Sequence, residues 1–215
     1  MWTSLCGLIP QLMRAAIIYT LAILVANLTA TLFLPFEIAP GTGILVSVGT
    51  LVFGITFTQR DRMHSRGRRF VYAVIGISAV LNLFMLVSFS YLWGQWVINL
   101  FDNREWAWLS ESAAMLKDNG WRVFLASFLA IIIAESADTE VFHYYRDRSW
   151  MTRVFRSNAV SIPVDSILFN LIAFAGSSFF PLIVLIKVIL GEIVSKFLVG
   201  LAYAWLYPKR EAEKK

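Results

Sequence analysis

Apolar residues fill long runs along this chain, and polar positions gather between them. Crossing the hydrocarbon core of a bilayer as a helix takes about 20 such residues. Six stretches approach or exceed that length: residues 12–34, 42–57, 70–92, 121–142, 159–180 and 182–206. The second is the shortest. The fifth and sixth meet at Ser177-Ser178-Phe179-Phe180-Pro181, a tight hairpin at one membrane face. Helix is the expected form, because lipid leaves every backbone group to be satisfied within its own segment. The pattern predicts an all-α integral membrane protein with six transmembrane helices. No internal repeat or low-complexity linker divides it, so residues 1–215 read as a single domain.

Composition agrees with lipid as the main solvent. Of the 215 residues 58% are hydrophobic and 15% charged, with a mean hydropathy of +0.67; a soluble domain of this size needs a more charged surface. Cys6 is the single cysteine, which excludes an intramolecular disulfide framework and a cysteine metal cluster. The first apolar run is too long for a cleavable secretory signal and lacks the small-residue cleavage pattern.

Charge then sets orientation. Arg60, Arg62, Arg66, Arg68 and Arg69 follow the second run. Arg146, Arg148, Arg153 and Arg156 follow the fourth, Lys209, Arg210, Lys214 and Lys215 close the chain, and Arg14 lies near its start. In a six-span arrangement all of these fall on one side, so the positive-inside rule places both termini in the cytoplasm. Topology and contact with anionic lipid explain the basic loops. They lack the interleaved aromatics of a single-strand binder, so nucleic acid is not the expected partner. The long connection over 93–120 carries Trp93, Trp96, Trp106 and Trp108. It is expected to lie along the interface between helices three and four as one or two short amphipathic helices, an anchor or a lid.

Ionisable side chains inside the runs are the candidate chemistry. Such groups are costly in lipid and tend to face a protein interior or a wet cavity. Asp138, Asp165 and Lys196 fall at similar depth in the cytoplasmic half, where two carboxylates and one ammonium can form a buried network. A more central layer holds Asn27, Asn82, Glu135, Asn170 and Glu192. Glu135 and Asp138 share a helix face, Glu192 and Lys196 can pair along theirs, and Phe169 stands one turn from Asp165. Structural roles compete with these. Asp165 follows Ser161 and Pro163, so it can be an acid in the first turn of a helix, and the asparagines can tie helices together.

A cavity with carboxylates, amides and nearby rings suits a flat solute that donates hydrogen bonds, such as a guanine-like base. Buried carboxylates can also carry protons. Nothing points to an enzyme. His64 and His143 are the only histidines and stand at loops or boundaries, and neither H-E-x-x-H nor G-x-S-x-G occurs. No phosphate-binding G-x-x-x-x-G-K-[ST] run is present, so ATP-driven transport would need a separate hydrolysing module. No cofactor or metal is expected.

Glu135-Ser-Ala-Asp-Thr-Glu-Val-Phe-His143 and Pro163-Val-Asp-Ser-Ile-Leu-Phe-Asn-Leu-Ile-Ala-Phe174 resemble the queuosine precursor transporter family, also called the vitamin uptake transporter family. Asp138 before Val141-Phe142, and Asp165 before Ile172-Ala173-Phe174, match its two acidic motifs. Gly191-Glu-Ile-Val-Ser-Lys196 looks like its last-span motif and Asn27 like its span-one asparagine. The chain departs from the pattern over 58–67, where basic residues stand in place of acidic ones. The resemblance implies import of 7-cyano-7-deazaguanine and related 7-deazapurine bases across the cell inner membrane, with proton coupling compatible with the buried acids. The alternative is a substrate-binding subunit energised by a separate ATPase. Asn27, Glu135, Asp138, Asp165, Phe169, Asn170 and Lys196 are the expected substrate-binding residues. The expected partners are a small base and the lipid bilayer, with room for a homo-oligomer.

Overall fold

The computed structural model describes residues 2–36, 44–100, 107–177 and 180–206. It is nearly all-helical. Helix α1 spans Trp2–Leu28, α2 Val48–Met63, α3 Arg68–Leu100, α4 Ala107–Tyr144, α5 Trp150–Phe174 and α6 Leu182–Leu206. A 3-10 turn over His64–Arg66 joins α2 to α3. Between α1 and α2 lie two short strands, β1 at Phe33–Phe36 and β2 at Ile44–Ser47. Residues 178–179 of the expected hairpin and the basic tail beyond 206 lie outside the described residues.

The strands correct the expectation that the first two apolar runs are helix throughout. They pair antiparallel, with Phe33 opposite Ser47 and Leu34 opposite Val46. Ser47 fixes the corner into α2. Its Oγ accepts from the Gly49 amide at 3.1 Å, capping the helix, and donates to the Ala30 carbonyl at 2.9 Å. Gly49 lets this corner close on α1, since a Cβ there would run into the Ala26 carbonyl.

The expected interfacial connection over 93–120 is also corrected. α3 continues to Leu100 and α4 starts at Ala107, with 101–106 outside the described residues. At 33 and 38 residues these helices are about 50 and 57 Å long, well beyond the roughly 30 Å of a hydrocarbon core. α5 begins nine residues before its apolar run, capped by Ser149, which accepts from the Thr152 amide at 3.4 Å. Asp165 therefore lies deep within α5, past Pro163, and is not a first-turn acid.

Exposure is inverted relative to a soluble protein. Ile17 and Leu21 of α1, Ile77 and Phe84 of α3, and Leu190, Val194 and Leu198 of α6 are exposed. Arg60, Asp138, Ser166 and Asn170 are fully buried. Among the described residues, Arg68–Met85, Gly120–Tyr144 and Trp150–Phe174 are long and apolar enough to cross a membrane. α6 has the same apolar character but also carries Lys187, Glu192 and Lys196.

The two ends of the molecule differ. At one, Phe33 of β1 packs on Phe174 and Phe180 at centroid distances of 5.9 and 5.4 Å, and these two stack at 4.7 Å. At the other, basic end, His64 stacks on Phe142 at 4.5 Å, and the Arg153 guanidinium lies over the same phenyl ring, 3.9 Å from its centroid. Burial drives the His64 pKa down to about 3, aided by the positive charges of Arg60 and Arg153 and by His143.

Candidate functional site

A cavity opens where α1, α2, α4, α5 and α6 converge beside the Ser47 corner. Asn27, Phe53, Asp165, Phe169, Glu192 and Lys196 supply its chemistry, and Ser47 and Thr50 add hydroxyls to its lining. Its free volume is about 30 Å³, room for one or two water molecules. A bicyclic ligand would need the helices to part.

The buried ammonium of Lys196 organises this cavity. Nζ donates to Asp165 Oδ2 at 2.7 Å, Glu192 Oε2 at 2.8 Å and Ser166 Oγ at 3.3 Å, and lies 5.4 Å from the Phe53 ring centroid. Glu192 stands one turn before Lys196 on α6, the pairing expected from their spacing, while Asp165 reaches across from α5. Two carboxylates thus share one cation and keep acceptor oxygens for a further donor. Asn27 donates through Nδ2 to Asn82 Oδ1 at 2.9 Å, joining α1 to α3 beside the cavity.

A second buried cluster lies one to two turns toward the basic end. Arg60 Nη1 donates to Glu135 Oε2 at 2.8 Å, and Nη2 lies 2.8 Å from Asp138 Oδ2, a charge contact whose angle falls short of a hydrogen bond. Asp61 Oδ1 is farther, at 3.4 Å. Ser161 donates to Asp138 Oδ1 at 2.7 Å, and the guanidinium carbon sits 5.3 Å from the Phe57 centroid. Ile131 lines the cavity and Glu135 follows it by one turn of α4, so the clusters are neighbours.

The seven residues singled out from the sequence are divided by this geometry. Asn27, Asp165, Phe169 and Lys196 line the cavity. Glu135 and Asp138 belong to the Arg60 cluster, so Asp138, Asp165 and Lys196 do not form one network. Asn170 is buried but is not among the lining residues; its Nδ2 donates to the Ser166 carbonyl at 2.8 Å. Sequence reasoning missed Arg60, which reads as one arginine of a surface-loop run, and Asp61 beside it. It also missed Phe53 and Ser47, whose only signal was a position in or next to the shortest apolar run. Among the described residues, no group of three or more His, Cys, Asp or Glu side chains is placed to hold a metal ion.

No curated protein and no solved structure matched the chain. A family model described as "Putative vitamin uptake transporter" matches residues 47–208, which hold α2 to α6 and all the charges of both clusters. The match and the apolar helices point to a multi-pass membrane protein with a small-molecule substrate. The chain belongs to the vitamin uptake transporter family.

Proposed function

We propose that the protein is an inner-membrane transporter that imports queuosine precursors, 7-cyano-7-deazaguanine and related 7-deazapurine bases. Its six helices cross the bilayer with both termini cytoplasmic, and import is coupled to protons. The observation that carries this reading is the cavity itself, in which the acceptors Asp165 and Glu192 stand beside the rings of Phe53 and Phe169. A deazaguanine presents a ring N–H and an exocyclic amine that can donate to a carboxylate, while its faces stack on aromatic rings. Asn27 would orient the base and Lys196 would stand as counter-charge to the carboxylates. Glu135 and Asp138 would act through the Arg60 cluster as the barrier between cavity and cytoplasm, and Asn170 by supporting the α5 face that carries Asp165.

Access from either side then requires one barrier to open while the other stays shut. The hairpin-end barrier is the stack of Phe33, Phe174 and Phe180, and the basic-end barrier is the charge contact between α2 and α4. Both are discrete packings of the kind that switch between two arrangements.

Uptake of 7-cyano-7-deazaguanine by cells unable to make queuosine tests the reading. Asp165→Asn is expected to lower uptake at least about tenfold, the worth of a hydrogen bond to a charged group, and Asp138→Asn to slow it. Normal uptake by stably produced Asp165→Asn and Asp138→Asn proteins would remove the site assignment. Transport by the purified chain alone in liposomes is expected; a strict need for an ATPase partner would favour the energised-subunit alternative.

A further inference from the structure

The Arg60 cluster contains more negative charge than it can balance. One guanidinium faces three carboxylates, Asp61, Glu135 and Asp138, and all four side chains are at most 3% exposed. With every group ionised the quartet would hold two uncompensated negative charges out of contact with bulk water. Desolvated charge is tolerated only when paired.

A separate observation concerns the polar atoms around it. Arg60 Nε, Gln59 Oε1, Thr139 Oγ1 and both amide atoms of Asn158 are buried without a hydrogen-bond partner among the described residues. Gln59 and Thr139 are chain neighbours of Arg60 and Asp138. Asn158 adjoins Ser157 on α5, and Tyr19 lies within electrostatic reach of Glu135 and Asp138. Buried polar groups are nearly always satisfied, by protein or by water. Arg60 Nε belongs to the cluster itself and the other orphans flank it along α2, α4 and α5, a pattern that admits water beside the charges.

We infer that the Arg60 quartet is a proton-binding site separate from the substrate cavity, and that Asp61 is the group that takes up the proton. The three carboxylates are not equivalent. Glu135 and Asp138 each lie 2.8 Å from the guanidinium, and Asp138 also accepts from Ser161. Asp61 accepts from Arg60 Nη2 only across a long 3.4 Å hydrogen bond, and so is the least stabilised as an anion. A proton passes from water to an Asp61 carboxylate oxygen, forming one O–H bond, and returns to water on release; no other bond changes. The groups facing this site are Arg60 on the same helix, Glu135 and Asp138 on α4, and Tyr19 on α1. Asp165 on α5 lies within reach of Glu135, and His64 of the 3-10 turn stands near Arg60 and Arg153. The proximity of Asp165 to Glu135 carries the effect to the cavity: loading a proton weakens the negative field on the carboxylate that binds the donor, a coupling that acts equally in both directions.

The site itself is tested without substrate. Infrared difference spectra of the full-length protein in detergent, recorded between pH 5 and 9, read the carbonyl stretch of a protonated carboxyl group. One such band is expected to titrate in the wild type, to vanish in Asp61→Asn, and to persist in Asp165→Asn and Glu192→Gln. Its absence from the wild type, or its survival in Asp61→Asn, would overturn the proposal. Proton uptake counted in a pH jump of wild-type protein asks the same question with no variant to fold: a stoichiometry below the sum for exposed groups alone plus one would count against it. A second readout rests on the transport reading. In liposomes, 7-cyano-7-deazaguanine is expected to accumulate up to about tenfold per unit of pH gradient in the wild type, and Asp61→Asn is expected to exchange the base without accumulating it. Gradient-driven accumulation by Asp61→Asn would overturn the coupling role. Failure of the wild type to carry the base at all would count against the substrate while leaving the infrared result to judge the proton site.

Discussion

The Lys196 and Arg60 clusters bury a cation among carboxylates at adjacent levels of the same bundle, yet they are built for different work. Lys196 meets two carboxylates and a hydroxyl within 3.3 Å at the edge of a cavity. Its ammonium is a compact charge on a flexible stem, so it can release one partner to a ligand and keep the other. Arg60 is a planar fork bridging α2 to α4, with two carboxylates beyond the one it can balance and its Nε orphaned. A fork holds helices in register; a point charge holds a ligand's counter-groups. On the proposed reading, the difference separates a place for binding from a place for gating and charge control.

The largest expected effect breaks the comparison from the side of Arg60. Arg60→Met leaves three buried carboxylates without their cation, and should destabilise the protein by about 3–5 kcal/mol, read as a lowered melting temperature in detergent. Lys196→Met strands two carboxylates rather than three, so its melt should fall less while uptake is lost. Equal melting losses would show that the clusters are equivalent.

Gly54 gives a smaller effect and tests how tightly α2 must lie on α6 between the clusters. A Cβ there would run into Val199, so Gly54→Ala is expected to cost about 1–3 kcal/mol, and Val199→Ala to restore most of it. Lack of rescue would place the strain elsewhere.

The basic end should also respond to acid. An unfolded chain protonates its histidines near pH 6.5, whereas folded His64 does so only near 3. The unfolded state therefore binds more protons in between, and the stability that neutral His64 contributes above pH 6.5 is lost as pH falls toward 3. Melting temperature should drop from pH 7 to pH 4, with a shallower slope in His64→Gln. The smallest effect lies on the cavity side: Ser47→Ala removes the α2 cap and should cost about 1 kcal/mol. It should also disturb uptake more than its size suggests, because Ser47 lines the cavity.

What the sequence disclosed follows from the physics of each signal. Asp165 and Lys196 were legible because each interrupts an apolar run, where a charge must be accounted for. Arg60 was not, because it opens a run with Arg62, Arg66, Arg68 and Arg69 that reads as a cytoplasmic loop; only the fold separates buried Arg60 from exposed Arg68. The strands at Phe33–Phe36 and Ile44–Ser47 are short and wholly apolar but for Pro35 and Ser47, and periodicity cannot distinguish such runs from buried helix. The first turns of α5 were missed for the opposite reason. Thr152, Arg153, Arg156, Ser157 and Asn158 are polar, and hydropathy records lipid contact rather than helix.

The smallness of the cavity has an electrical meaning. A membrane stores a voltage only if the proteins in it insulate as well as the lipid does, and an idle carrier sits in that membrane at all times. Space for one or two waters beside a fully engaged Lys196 is too little for a broad column of solvent at this level. Truncating Phe53 would widen that space, and a measurable leak current through an otherwise silent bilayer is the expected sign that the insulation had failed.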